Sequence, residues 1–115
     1  MENKFSENLI EIDFKKRYST SESEILKQGI TAMNMENKWN IIFSVNTLSF
    51  YRSWTGRGIF KIFFTQNNGQ LEIKQVLAEE EYANKQGKVE CAEELNWVIE
   101  VIMFNRKVDL PKVHN

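Results

Sequence analysis

Seven consecutive residues, Arg52, Ser53, Trp54, Thr55, Gly56, Arg57 and Gly58, combine two guanidinium groups, two hydroxyls, an indole and two glycines. A ligand carrying phosphate uses such groups. Arginine grips phosphate oxygens with two parallel hydrogen bonds, glycine N–H groups approach an anion closely, and an indole stacks on a base. Ser53 or Thr55 would add bonds to ribose or phosphate oxygens. The G-x-G of Gly56 and Gly58 is followed by an apolar, strand-like run, with no third glycine and no helix. It is therefore neither a Walker loop nor a dinucleotide fingerprint. A structural reading competes with the ligand reading. Arg52 would lie over Trp54 or pair with a carboxylate, Thr55 and Gly56 would turn the chain, and Trp54 would plug one end of the core. Lys38 and Trp39 form a second small constellation at the start of a strand, where Trp39 either stacks on the ligand or fills the sheet edge. Tyr82 and Arg106 are weaker candidates that folding could bring to a pocket.

Other chemistries find little material. The only histidine is His114, one residue from the end, and the only cysteine is Cys91. That leaves no zinc set and no nucleophile–base pair, so no catalytic residue, metal ligand or cofactor is expected. Glu79, Glu80 and Glu81 read as a solvated face or helix start, and Glu93 and Glu94 as solvent-facing. A net charge of −1 provides no global basic field, which argues against duplex nucleic acid as a partner. One thiol cannot form an internal disulfide, which points to a reducing cytoplasm. Residues 1–7 lack an apolar signal region, and the longest apolar run, Val101 to Phe104, is far too short to span a membrane.

The elements that must position these groups follow from periodicity. With 115 residues, 42% of them apolar, and eight Phe, three Tyr and three Trp, the chain suits one bulky-cored domain over 1–115. Ile10, Ile12 and Phe14 alternate with acids and favour a short strand. The Ser21 to Glu24 spacing is that of a capping box and starts a helix over about 22–34, weakened by Gly29. Residues 39–45 are β-formers, and Asn46 with Thr47 suits a tight turn. Residues 48–53 alternate, with Leu48, Phe50 and Arg52 on one face. Residues 59–65 are apolar on both faces apart from Lys61, which suggests a central strand covered on both sides. Asn67, Asn68 and Gly69 make a hairpin turn, and residues 70–77 complete a four-stranded antiparallel meander. Residues 78–87 can hold a helical turn. Residues 88–104 carry a helical apolar stripe, with a strand over 97–104 as competitor. Residues 105–115 read as a C-terminal tail.

Three stretches also show a resemblance. Met35, Glu36, Asn37, Lys38 and Trp39, then Leu48 to Gly56 and Ile59 to Ile62, resemble a group of small uncharacterised bacterial and phage proteins. Their shared core runs M-E-D-K-W, a short strand, L-x-F-x-R-S-W-T-G and I-[FY]-x-[VI]. Asn37 departs from the usual Asp, and after the meander the group's N-R-D-P-like segment is replaced by Leu77, Ala78, Glu79 and Glu80. The resemblance implies a cytosolic single domain in which Lys38, Trp39, Arg52, Ser53, Trp54, Thr55 and Gly56 are a matched set, and it names no ligand. The expectation is thus an α+β domain, a four-stranded sheet packed by two helices, that binds an anionic nucleotide-like compound without catalysis. An ADP-ribose derivative or a cyclic nucleotide would fit, and a phage could use such a protein as a sponge for a defence signal. The site would comprise Lys38, Trp39, Arg52, Ser53, Trp54, Thr55, Gly56 and Arg57, shared in a homodimer or larger homo-oligomer. The alternative is a protein-interaction module, an inhibitor or immunity-type partner. An enzyme recruiting an acid such as Glu36 comes third.

Overall fold

A computed structural model describes residues 3–31 and 38–106. The expected end of the first helix beyond Thr31, the acid Glu36, His114 and the tail from 107 onward lie outside the described residues. The fold is α+β, built on a five-stranded antiparallel sheet in the order β1-β5-β4-β3-β2. The strands are β1 (Leu9–Ile12), β2 (Trp39–Ser44), β3 (Thr47–Arg52), β4 (Gly58–Asn67) and β5 (Gln70–Glu79). The expected meander forms β2 to β5. The count of four strands is corrected to five because the alternating N-terminal run docks on the outer edge of β5, pairing Leu9 with Glu79 and Ile12 with Val76.

Local chemistry fixes the turns. Asn68 and Gly69 both have positive φ, 52° and 80°, as a two-residue hairpin requires. The β2–β3 turn lies one residue earlier than expected, at Val45 and Asn46, with φ of 51° and 55°. Pairing of Ser44 with Thr47 commits Thr47 to the strand.

The first helix, α1, spans Thr20–Gln28. Its cap is Ser19 with Glu22, two residues before the Ser21 and Glu24 of the sequence reading, since S-x-x-E occurs twice in this stretch. Gly29 ends the helix rather than weakening its interior. Its φ is 65°, its N–H bonds to the Leu26 carbonyl, and a Cβ there would collide with the Ile41 carbonyl oxygen. Two further helices follow β5 directly, α2 (Glu80–Gln86) and α3 (Lys88–Trp97). From Val98 to Met103 the last helix widens into a π-helix, so the competing strand over 97–104 does not form. Among the described residues, then, the sheet is packed by three α-helices and this π segment, not by two helices. Arg106, expected in the tail, is docked, with its N–H on the Glu100 carbonyl and its guanidinium on Glu22 and Glu100.

One sheet face is covered. Trp39, Ile41, Leu48, Phe50, Phe60, Ile62, Val76 and Ala78 are buried against Leu26, Cys91, Leu95, Val98 and Ile99. Each large apolar side chain so buried contributes about 1.5–3 kcal/mol before entropy is counted. β4 is central as expected, but its second face carries no helical layer among the described residues. Phe5 packs there instead, 5.1 Å from the Tyr51 ring and 4.5 Å from the Lys61 ammonium. Among the described residues, no helix is long and apolar enough to cross a membrane.

Candidate functional site

The site lies at the end of the sheet where β3 stops, β2 and β4 begin, and β5 runs into α2. The turn after Arg52 is closed by backbone bonds. Arg52 donates its N–H to the Arg57 carbonyl, Gly56 donates to the Arg52 carbonyl, and Ser53 donates to the Lys38 carbonyl, at 2.8, 2.8 and 2.9 Å. The Thr55 hydroxyl accepts from Arg57 N–H at 3.2 Å. Gly56 supplies the φ of 74° that the reversal needs. A register slip between Phe50 and Tyr51 pairs Phe50 with Phe60 and Tyr51 with Gly58. Ile59, left between them, is buried at the pocket floor.

These groups enclose one side of a cavity of about 470 Å³. Lys38, Arg52, Ser53, Trp54, Thr55 and Arg57 line it from the sheet side, and Glu81, Tyr82, Lys85 and Gln86 from α2. Six of the eight residues expected at a site therefore meet around one volume. Trp39 and Gly56 stand behind that wall. Trp39 is 3% exposed, and the Arg52 guanidinium lies 4.3 Å above its ring. It cannot stack on a ligand, because the face a base would use is already covered by a cation. Trp54 is 64% exposed and keeps its ring accessible at the rim.

Arg52 is anchored as well as lining. Its Nη2 donates to the Tyr82 hydroxyl at 3.1 Å, and that hydroxyl donates to Glu94 Oε1 at 2.5 Å. The Glu94 carboxylate is also 4.0 Å from the guanidinium. Burial, and then the bond to Glu94, push the Tyr82 phenol well above its ordinary range, so it stays protonated. Glu94 was expected to face solvent. It is half-buried because α3 packs its first turns against α2 and points this carboxylate at Tyr82.

Arg57 departs furthest from the expected role. Its Nε donates to Glu79 Oε2 at 2.7 Å, and its Nη2 makes a second, shorter bond to Oε1. Glu79, expected on a solvated face, is 7% exposed at its side chain. The bonded carboxylate raises the Arg57 pKa, so this guanidinium is committed to a buried partner rather than held ready for a phosphate. By contrast, Lys38 and Lys85 line the cavity without an ion-pair partner among the described residues.

An N-terminal strap holds both walls. Lys4 N–H bonds to the Gly56 carbonyl and Gly58 N–H to the Lys4 carbonyl, each at 2.8 Å, while Glu80 N–H bonds to the Asn8 carbonyl at 3.0 Å. Phe5 lies so close over Gly58 that a Cβ there would sit 2.5 Å from its ring. Tyr82, a weaker candidate from the sequence, does reach the cavity and Arg106 does not, while the strap and the α2 residues Glu81, Lys85 and Gln86 were missed by sequence reasoning. The signal for α2 was present, since Tyr82, Lys85 and Gln86 have the i, i+3, i+4 spacing of one helix face. Compared with known protein families, curated proteins and solved structures, the chain shows no significant match.

Proposed function

We propose that the protein binds an anionic, nucleotide-like small molecule in this cavity and does not transform it. One observation carries the reading: an exposed indole and two lysines with no ion-pair partner among the described residues face the same open volume. Trp54 stacks on the base, Lys38 and Lys85 take the phosphate charge, and the edge of Arg52 and the hydroxyls of Ser53 and Thr55 add directional bonds. The cavity is within the size range of small-ligand pockets, which begins at about 300 Å³. An ADP-ribose derivative or a cyclic nucleotide is the class that suits these groups. In a phage, a cytoplasmic protein of this kind would act as a sponge for a defence signal. Its openness to solvent makes a homodimer that shares the site the natural assembly.

A second reading rests on the same indole. An exposed Trp beside Arg is also the chemistry of a protein-binding hot spot. The two separate by titration calorimetry against a nucleotide panel at about 100 μM protein, which detects micromolar dissociation constants. Binding that Trp54→Ala abolishes supports the small-molecule reading. No heat with any nucleotide overturns it.

A further inference from the structure

Resting on that reading, we propose that the site selects a nucleoside monophosphate over the corresponding triphosphate, and that Glu81 sets this limit. The cavity is lined by four cations, but two are committed. Arg57 is forked onto the buried Glu79 carboxylate. Arg52 lies on Trp39, bonds to Tyr82 and stands 4.0 Å from Glu94. Among the described residues, two lining ammonium groups without an ion-pair partner, Lys38 and Lys85, are left to balance a ligand's charge. A phosphate monoester near neutral pH carries about −1.5 to −2, which two ammonium groups match. A triphosphate carries more than they can balance.

The direction in which a longer phosphate chain would extend makes the mismatch worse. Arg57 and Glu81 line this cavity and also a neighbouring one of about 540 Å³. The second cavity's other charged lining groups are Glu79 and Glu80; Arg57 and Glu79 neutralise each other, so the carboxylates of Glu80 and Glu81 set its charge. Glu81 therefore stands at the boundary, exposed, with its charge facing any phosphate that passes Arg57. Like charges a few ångströms apart in a partly desolvated site repel strongly, while bulk salt screens them over about 8 Å at physiological ionic strength.

The test is calorimetry with AMP, ATP and ADP-ribose, without divalent metal and at about 50 mM salt to preserve the electrostatic contrast. AMP should bind the protein at least about tenfold more tightly than ATP, a difference of about 1.4 kcal/mol. Glu81→Gln should shrink that ratio to about threefold or less, chiefly by improving ATP. Its melting temperature should match the parent, which excludes misfolding as the cause. ATP binding as tightly as AMP, or binding by ADP-ribose alone, would overturn the selectivity and leave the small-molecule reading standing. An unchanged ratio in Glu81→Gln would remove Glu81 from the role. No binding by any of the three would overturn both.

Discussion

Two clusters of arginine and carboxylate among the described residues end differently. At the far end from the cavity, Arg106 bonds to Glu22 at 2.7 Å and to Glu100 at 3.0 Å, and Lys16 reaches the other oxygen of Glu100 at 3.0 Å. Two cations meet two carboxylates, and the group locks α1, the π segment and the strand-side loop over the buried Tyr18. At the cavity, Arg57 and Glu79 also close on each other, but Lys38 and Lys85 are added with no opposing carboxylate bonded to either among the described residues. The contrast shows how to read such clusters. Charges that pair off hold elements together, whereas a surplus of one sign around an open volume is material for a ligand.

The comparison breaks first at Arg57. If its pairing with Glu79 is structural, Arg57→Ala strands a carboxylate that is 7% exposed, and stability falls by about 2–3 kcal/mol in urea unfolding. A variant of parental stability would return Arg57 to the ligand. Arg52 sits between the two behaviours. Arg52→Ala removes a cation from the Trp39 face and a bond to Tyr82, so a loss of about 1–2 kcal/mol should accompany weaker binding. Trp54→Ala sharpens the other side. With its ring exposed, stability should move by less than about 0.5 kcal/mol, while nucleotide affinity drops tenfold or more, as lost stacking worth about 1–3 kcal/mol requires.

The balanced cluster has a pH signature. Burial opposes ionisation of Glu22, but hydrogen bonds from Ser19 and Arg106 outweigh it and hold the carboxyl below its ordinary value of 4.5. A carboxyl depressed in the folded state stabilises fully above its unfolded value, and that contribution is lost as pH falls through the folded one. Glu22→Gln should flatten the acid limb of a stability–pH curve below about pH 4.5 and leave the neutral region's slope unchanged. The smallest effect concerns Val45, a β-branched residue at φ 51° and 89% exposed. Val45→Asn should raise stability by about 0.5–1 kcal/mol, read as a higher melting temperature, because Asn tolerates this conformation.

The meander was legible because its signals are local. Alternation places Leu48, Phe50 and Arg52 on one face, and Asn68 with Gly69 reverses the chain without help from elsewhere. Six members of the candidate site were likewise legible, because they are adjacent in the chain or flank the same strand end. What escaped depends on contacts that no window of sequence contains. The pairing of β1 with β5 joins Leu9 to Glu79. Glu79 reads as one acid in a run of three until Arg57 is placed beside it. Trp39 and Trp54 look equivalent as indoles, and only folding buries one beneath a guanidinium while leaving the other at the rim.

The strap from Lys4 to Asn8 has a consequence for the order in which the molecule assembles. Hairpins β2–β3 and β4–β5 close over a few residues, whereas the strap must find Gly56 and Gly58 across some fifty residues and Glu80 across about seventy. Contacts of such separation carry a larger loop-closure entropy and form after the local ones reward it. Both walls of the cavity are therefore fixed late. In a refolding experiment the sheet should reach its native circular dichroism before the chain can quench or shift the Trp54 fluorescence with ligand. A newly made chain would pass through a period in which it is a sheet without yet enclosing a cavity.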